Sequence, residues 1–133
     1  MTGQTNLPEV LKSLRVSCDN VEYGFATVKN QPIVPDNQVL GTFREGEGIT
    51  VFATKEYFEK NHIPHEGPYA KLTIEVHTSL ELVGLTAVLA TKLAENNISA
   101  NVVAAYFHDH IFVQYGLRKN AINVIQHLRT HLA

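Results

Sequence analysis

An α+β fold, with an antiparallel sheet that carries its helices on one face, is what this sequence predicts, and three observations predict it. Ala70, Leu72, Ile74 and Val76 alternate with Lys71, Thr73, Glu75 and His77, the period of two that gives a strand one buried and one wet face. Leu82, Leu85, Leu89 and Leu93 then fall on one helical stripe, with Val83, Ala87, Ala90 and Ala94 beside it, so more than one face of that helix is apolar. Two further strand-like runs follow, and Ala121, Ile125, Leu128 and Leu132 form a second helical stripe.

The amino-terminal part opens with a helix over 7–14, started by Asn6 and Pro8. Strands are expected over 21–28 and 49–53. The stretch between them, with Pro32, Pro35, Asp36, Asn37 and Gly41, reads as loop, and Gly46-Glu47-Gly48 reads as a turn. A short helix over 55–61 precedes Ile63-Pro64. The segment from Pro64 to Pro68 is the natural joint between two halves, 1–66 and 67–133. Lys60-Asn61-His62-Ile63 and Glu95-Asn96-Asn97-Ile98 resemble each other 35 positions apart, although helix ends favour asparagine in any case.

In the second half, Thr78 with Glu81 makes a capping box for the leucine-rich helix, and a start nearer Val83 is the alternative because Gly84 is a poor interior helix residue. Asn96-Asn97 can supply the left-handed residue that ends it. Strands are expected over 98–107 and 111–115, with Asp109 in the polar break of a hairpin, and the last helix follows Gly116. The order β-α-β-β-α is one strand short of a ferredoxin-like β-α-β-β-α-β unit. The missing strand has to come from elsewhere. Residues 49–53 should pair with this half or complete an equivalent small sheet, because an open edge leaves amides unpaired and invites aggregation.

Composition narrows the function. Of 133 residues, 44% are hydrophobic, enough for a real core, and 11 basic against 13 acidic side chains give no broad positive field. Nucleic acid is not an expected partner. A lone cysteine, Cys18, cannot close an internal disulfide, and the first residues lack both a basic and an apolar leader region, so a cytoplasmic protein is expected. The apolar stretch 82–93 is short and interrupted by Gly84, Thr86, Thr91 and Lys92, so no membrane partner is expected.

Catalytic and metal chemistry find little purchase. His108-Asp109-His110 invites a metal, yet a catalytic zinc site needs three well-placed ligands with second-shell support and no paired cysteines help to supply them, so none is expected. Cys18 has no motif around it, and Ser79 beside His77 is no dyad because neighbours on a strand point apart. Gly46-Glu47-Gly48 lacks the lysine and spacing of a phosphate loop. No cofactor is implied. Gly84 costs about 1 kcal/mol against alanine if helical, so it needs a reason: ligand access, or tight packing of helix on sheet.

Three segments carry a family resemblance: Tyr69-Ala-Lys-Leu-Thr-Ile-Glu-Val-His77, Ser79-Leu-Glu-Leu-Val-Gly-Leu85, and Leu93-Ala-Glu-Asn-Asn-Ile-Ser-Ala-Asn-Val-Val103. With Asp109-His-Ile-Phe-Val113 they form a pattern that resembles an ACT domain. Upstream, Glu45-Gly-Glu-Gly-Ile-Thr-Val-Phe52 looks like the amino-terminal part of small two-part bacterial ACT proteins. The resemblance implies a ferredoxin-like fold in two ACT-like halves, similar to the tandem regulatory units of aspartokinase and of the cellular arginine sensors, and a regulatory protein without catalytic activity. One departure stands out. Where ligand-binding units often carry Asp-x-Pro-Gly after the first strand, this chain has His77-Thr78-Ser79-Leu80.

The site that the resemblance implies is amino-acid binding. A ligand carboxylate is expected against the backbone of Ser79, Leu80, Val83, Gly84 and Leu85, where helix-start amides lack partners and the dipole favours an anion. Asp109 would face the ammonium, with Asn101 and Val102 adding an amide contact and a pocket wall; each has a plainer reading, as a turn aspartate or as strand residues. The wide apolar surface of the 82–93 helix predicts a homodimer, or else a helix covered by the amino-terminal half. An oligomerisation module without ligand, or a small enzyme using the histidines near the hairpin, are the alternatives.

Overall fold

The computed structural model describes residues 11–29, 33, 36–76 and 84–130. Among them are seven strands, β1 (Arg15–Cys18), β2 (Tyr23–Val28), β3 (Val39–Glu45), β4 (Gly48–Thr54), β5 (Glu66–Glu75), β6 (Asn101–Ala104) and β7 (Asp109–Gln114). The helices are α1 (Lys55–Lys60), α2 (Leu85–Glu95) and α3 (Arg118–His127), the last entered through a 3-10 turn at Tyr115–Leu117. All strands join one antiparallel sheet in the order β3-β4-β2-β5-β7-β6, with β1 also on β5.

β5 is the spine of the sheet. One of its edges pairs with β7 from Tyr69 to Ile74. The other edge is shared end to end by β2, where Tyr23 meets Tyr69, and by β1, where Cys18 meets Leu72 and Arg15 meets Glu75. The strand that the carboxyl-terminal unit lacked is therefore β1, which gives the ferredoxin-like order β1-β5-β7-β6. Residues 49–53 are paired as expected: β4 lies between β2 and β3, and β2 joins this amino-terminal part to β5 in the same sheet.

Two expectations are corrected here. The stretch read as loop contains β3, an edge strand whose side chains after Gly41 are exposed, so it carries no apolar period, and whose register slips between Val39 and Gly41. The expected linker from Pro64 to Pro68 is already strand from Glu66 onward. Gly67 has φ +143, and a Cβ there would lie 2.8 Å from the Tyr23 carbonyl oxygen, so the close passage of β2 across β5 needs a glycine.

A clamped turn joins β1 to β2. Asp19 accepts from the Val21 N–H (3.1 Å) and from the Tyr23 hydroxyl, and Lys71 Nζ lies 3.6 Å from its carboxylate. Asn20, left-handed at φ 61, accepts from the Tyr115 hydroxyl at its carbonyl (2.9 Å) and from Arg118 Nε at its side chain (3.3 Å). Burial and the Asp19 carboxylate both hold the Tyr23 phenol well above its ordinary range.

α1 and α2 end alike. His62 (φ 56) and Asn97 (φ 61) are left-handed, and the N–H groups of Ile63 and Ile98 donate back to Phe58 and Leu93. Both ends are Schellman motifs, so the weak repeat in the sequence marks the same device twice. This also shortens the expected strand over 98–107 to Asn101–Ala104, because Ile98 is buried closing α2.

The core lies on one face of the sheet. Leu11, Leu14, Ala70, Leu72, Ile74, Ile111 and Val113 pack with Leu85, Leu89 and Leu93 of α2 and Ala121 and Ile125 of α3. Val28, Val51 and Ala53 pack with Tyr57 and Phe58 of α1 in a smaller cluster. Each fully buried leucine or phenylalanine contributes about 1.5–3 kcal/mol of transfer free energy. Of the two stripes expected on α2, the leucine stripe fills this core and the neighbouring one leaves Ala87 and Ala94 exposed.

Candidate functional site

The residues of the expected ligand site fall into three groups. Ser79, Leu80 and Val83, with the Thr78–Glu81 capping box, lie outside the described residues. Gly84 is the N-cap of α2 with φ 95, so it stands before the helix and not inside it, and its left-handed backbone is the reason for a glycine. It offers no side-chain cap, and no acidic residue stands in the first turn. Leu85 is buried in the core, which leaves only its backbone for a ligand.

Asp109 opens β7 and sits opposite Ile74 near the end of β5 and opposite Ala104 at the end of β6. It is half-buried. That end of the sheet is where the chain leaves β5 for the segment leading to α2. Val102, opposite Ile111, faces the same helix-covered side and packs at the edge of the core. Asn101 does not join them. It pairs with Phe112, so alternation turns it to the opposite face.

That opposite face carries what the sequence did not single out. Phe25 lies among Phe52 (5.1 Å between ring centroids), Phe112 (5.2 Å) and Tyr69 (4.7 Å), and Tyr23 meets Phe112 edge-on at 6.0 Å. β3 and β6 are the outermost strands of the order, yet Leu40, Gly41, Thr42 and Phe43 of one and Val103 of the other line a single cavity of about 310 Å³. The sheet curls enough to bring its two ends around a common hollow. Phe52 and Phe112 line it too, together with Lys71 and His110.

The polar groups of this hollow are arranged. Lys71 keeps 21% side-chain exposure, although strict alternation expected its face to be wet, and its ammonium lies 5.1 Å from the centre of the Tyr23 ring. His110 Nδ1 is 3.1 Å from Thr73 Oγ1. Burial lowers the His110 pKa below its ordinary value, and Lys71 and His108 lower it further against an opposing pull from Asp109. The alternation of β5 was the available signal for Lys71; only the curl reveals that β3 roofs it.

Among the described residues, no three His, Cys, Asp or Glu side chains converge to hold a metal ion, and no helix is long and apolar enough to cross a membrane. His108 is exposed at the hairpin, where its carbonyl accepts from Ala105 N–H (3.1 Å).

Family sequence models described as ACT domain match residues 2–70 and 65–127. No match is found among the curated proteins. A solved protein from Vibrio cholerae, described as of unknown function and a possible transport protein, is similar at 35% identity and TM-score 0.82, over 97% of this chain and 100% of that one. A protein from Agrobacterium tumefaciens shares the fold at 14% identity and TM-score 0.71, over 87% of this chain and 89% of that one. So does the ligand-free regulatory subunit of aspartate kinase from Thermus thermophilus, at 12% identity and TM-score 0.59, over 90% and 99%. With both halves matched and the ferredoxin-like strand order in place, the chain belongs to the ACT domain family, as two ACT units in tandem.

Proposed function

We propose that this is a regulatory protein without catalytic activity, made of units 1–66 and 67–133, that binds an amino-acid-like small molecule in the cytoplasm as a homodimer. The observation that carries the reading is the place of Asp109: a half-buried carboxylate opposite Ile74, at the sheet end where β5 gives way to the chain entering α2. A zwitterion there meets uncapped helix-start amides at one end and a carboxylate at the other. Val102 supplies apolar surface on the same side. Likeness to a regulatory subunit of aspartate kinase supports a regulatory role.

A thermal-shift screen of the common amino acids tests this, because a ligand bound only by the folded state raises the melting temperature by mass action. A response from wild type that is lost in Asp109→Asn supports the site. A response unchanged by Asp109→Asn places the ligand elsewhere. No response to any amino acid favours a pure interaction module, a reading that the exposed Tyr106 and Phe107 at the β6–β7 hairpin also support.

A further inference from the structure

We propose that the hollow on the helix-free face is a second ligand site, built for a small apolar acid: an aromatic or branched hydrocarbon body carrying one carboxylate. Its size sets the scale. At about 30 Å³ per water, a cavity of about 310 Å³ holds roughly ten waters, room for a ligand of about ten to fifteen non-hydrogen atoms. Its walls set the body of the ligand, since Leu40, Phe43, Phe52, Val103 and Phe112 present aliphatic and aromatic surface.

Charge sets the head group. Among the described residues, Lys71 is the one permanent charge lining the hollow, and no carboxylate lines it. The Lys71 ammonium has Asp19 at 3.6 Å and the Tyr23 ring beneath it, which leaves donor capacity for a second anion. His110 stands beside it as a neutral ring near pH 7, for the reasons of burial and neighbouring charge already given. When Thr73 donates to Nδ1, the ring hydrogen sits on Nε2, a second donor for a carboxylate. A cationic ligand would meet the Lys71 ammonium with no carboxylate among the described lining residues to pair with. This site is distinct from the one at Asp109, which lies on the helix-covered face opposite Ile74.

Isothermal titration of the full chain with 3-phenylpropionate and with its neutral amide tests the proposal. The acid is expected to bind about tenfold or more tightly than the amide, the gain from a hydrogen bond to a charged group. Lys71→Met, which keeps the apolar stem, should erase that preference while the amide binds as before. Val103→Phe, on the edge strand, should weaken both by filling the hollow. The amino-acid site is read separately by the thermal-shift screen, so failure here is distinguishable from failure of that site. Equal affinity of acid and amide for wild type overturns the proposal. So does binding that Val103→Phe leaves intact, or no binding of the acid to wild type at millimolar concentration.

Discussion

Val16 lies directly opposite Ile74, so a strand from the start of the chain closes the sheet of the carboxyl-terminal unit. Leu14, just before that strand, is fully buried in the same core as Leu72 and Ile125. Leu14→Ala should therefore destabilise the fold by about 2–5 kcal/mol, as a large-to-small change in a packed core does. Urea unfolding measures it. A loss below about 0.5 kcal/mol, the level of surface substitutions, would show that the amino-terminal segment is not integral to this unit.

Asp109→Asn should weaken binding of a responsive amino acid by about 1.5–3 kcal/mol, the range for a hydrogen bond to a charged group. Asp36→Asn is not a neutral control, because Asp36 accepts from Gln38 N–H (2.8 Å) and lies 3.5 Å from Lys60 Nζ. Glu47→Gln in the exposed turn is the better one. Calorimetry that found equal affinity in wild type and Asp109→Asn would remove Asp109 from the site.

Gly84→Ala should cost about 1 kcal/mol of stability. The left-handed backbone penalises a Cβ by about 1–2 kcal/mol, and the stiffer unfolded chain returns about 0.4–1 kcal/mol of it. Gly84→Asn should cost less, since asparagine visits this region more readily. Thermal melts that ranked alanine at or above glycine would contradict a left-handed cap at φ 95.

His110 should make the fold sensitive to mild acid. Its folded pKa lies below the ordinary 6.5, chiefly from burial, with Lys71 and His108 adding to it and Asp109 opposing. The unfolded chain thus binds the proton first as pH falls, and stability rises with pH wherever the unfolded state holds more protons. The contribution is fully present above about pH 6.5 and is lost as pH drops through the lowered folded value. His110→Gln should flatten the stability profile across that window. Denaturant midpoints that fall equally in both proteins would assign the effect to other groups.

Tyr106 and Phe107 are 93% and 82% exposed, the most open large apolar side chains among the described residues. If the homodimer forms through this tip, replacing both with serine should shift sedimentation toward the monomer without lowering the melting temperature of the unit. A dimer that survives the double change would move the interface elsewhere.

Much of the local structure was legible in the residues themselves. The alternation from Ala70 to Glu75 made β5, the leucine stripe made α2, and the paired Asn61-His62 and Asn96-Asn97 steps ended two helices, because period and cap chemistry are properties of neighbours in sequence. The need for one more strand was legible as well, from counting elements. Tertiary structure alone decided that Arg15–Cys18 fills it, since four half-polar residues carry too little period to declare a strand until Leu72 and Ile74 lie beside them. It alone made β3 a strand, for an edge draws its hydrogen bonds from β4 and needs little burial of its own. It also turned Asn101 away from Asp109 and brought Leu40 around to Lys71. Pairing and curl act between residues far apart in the chain, where a pattern along the sequence cannot reach.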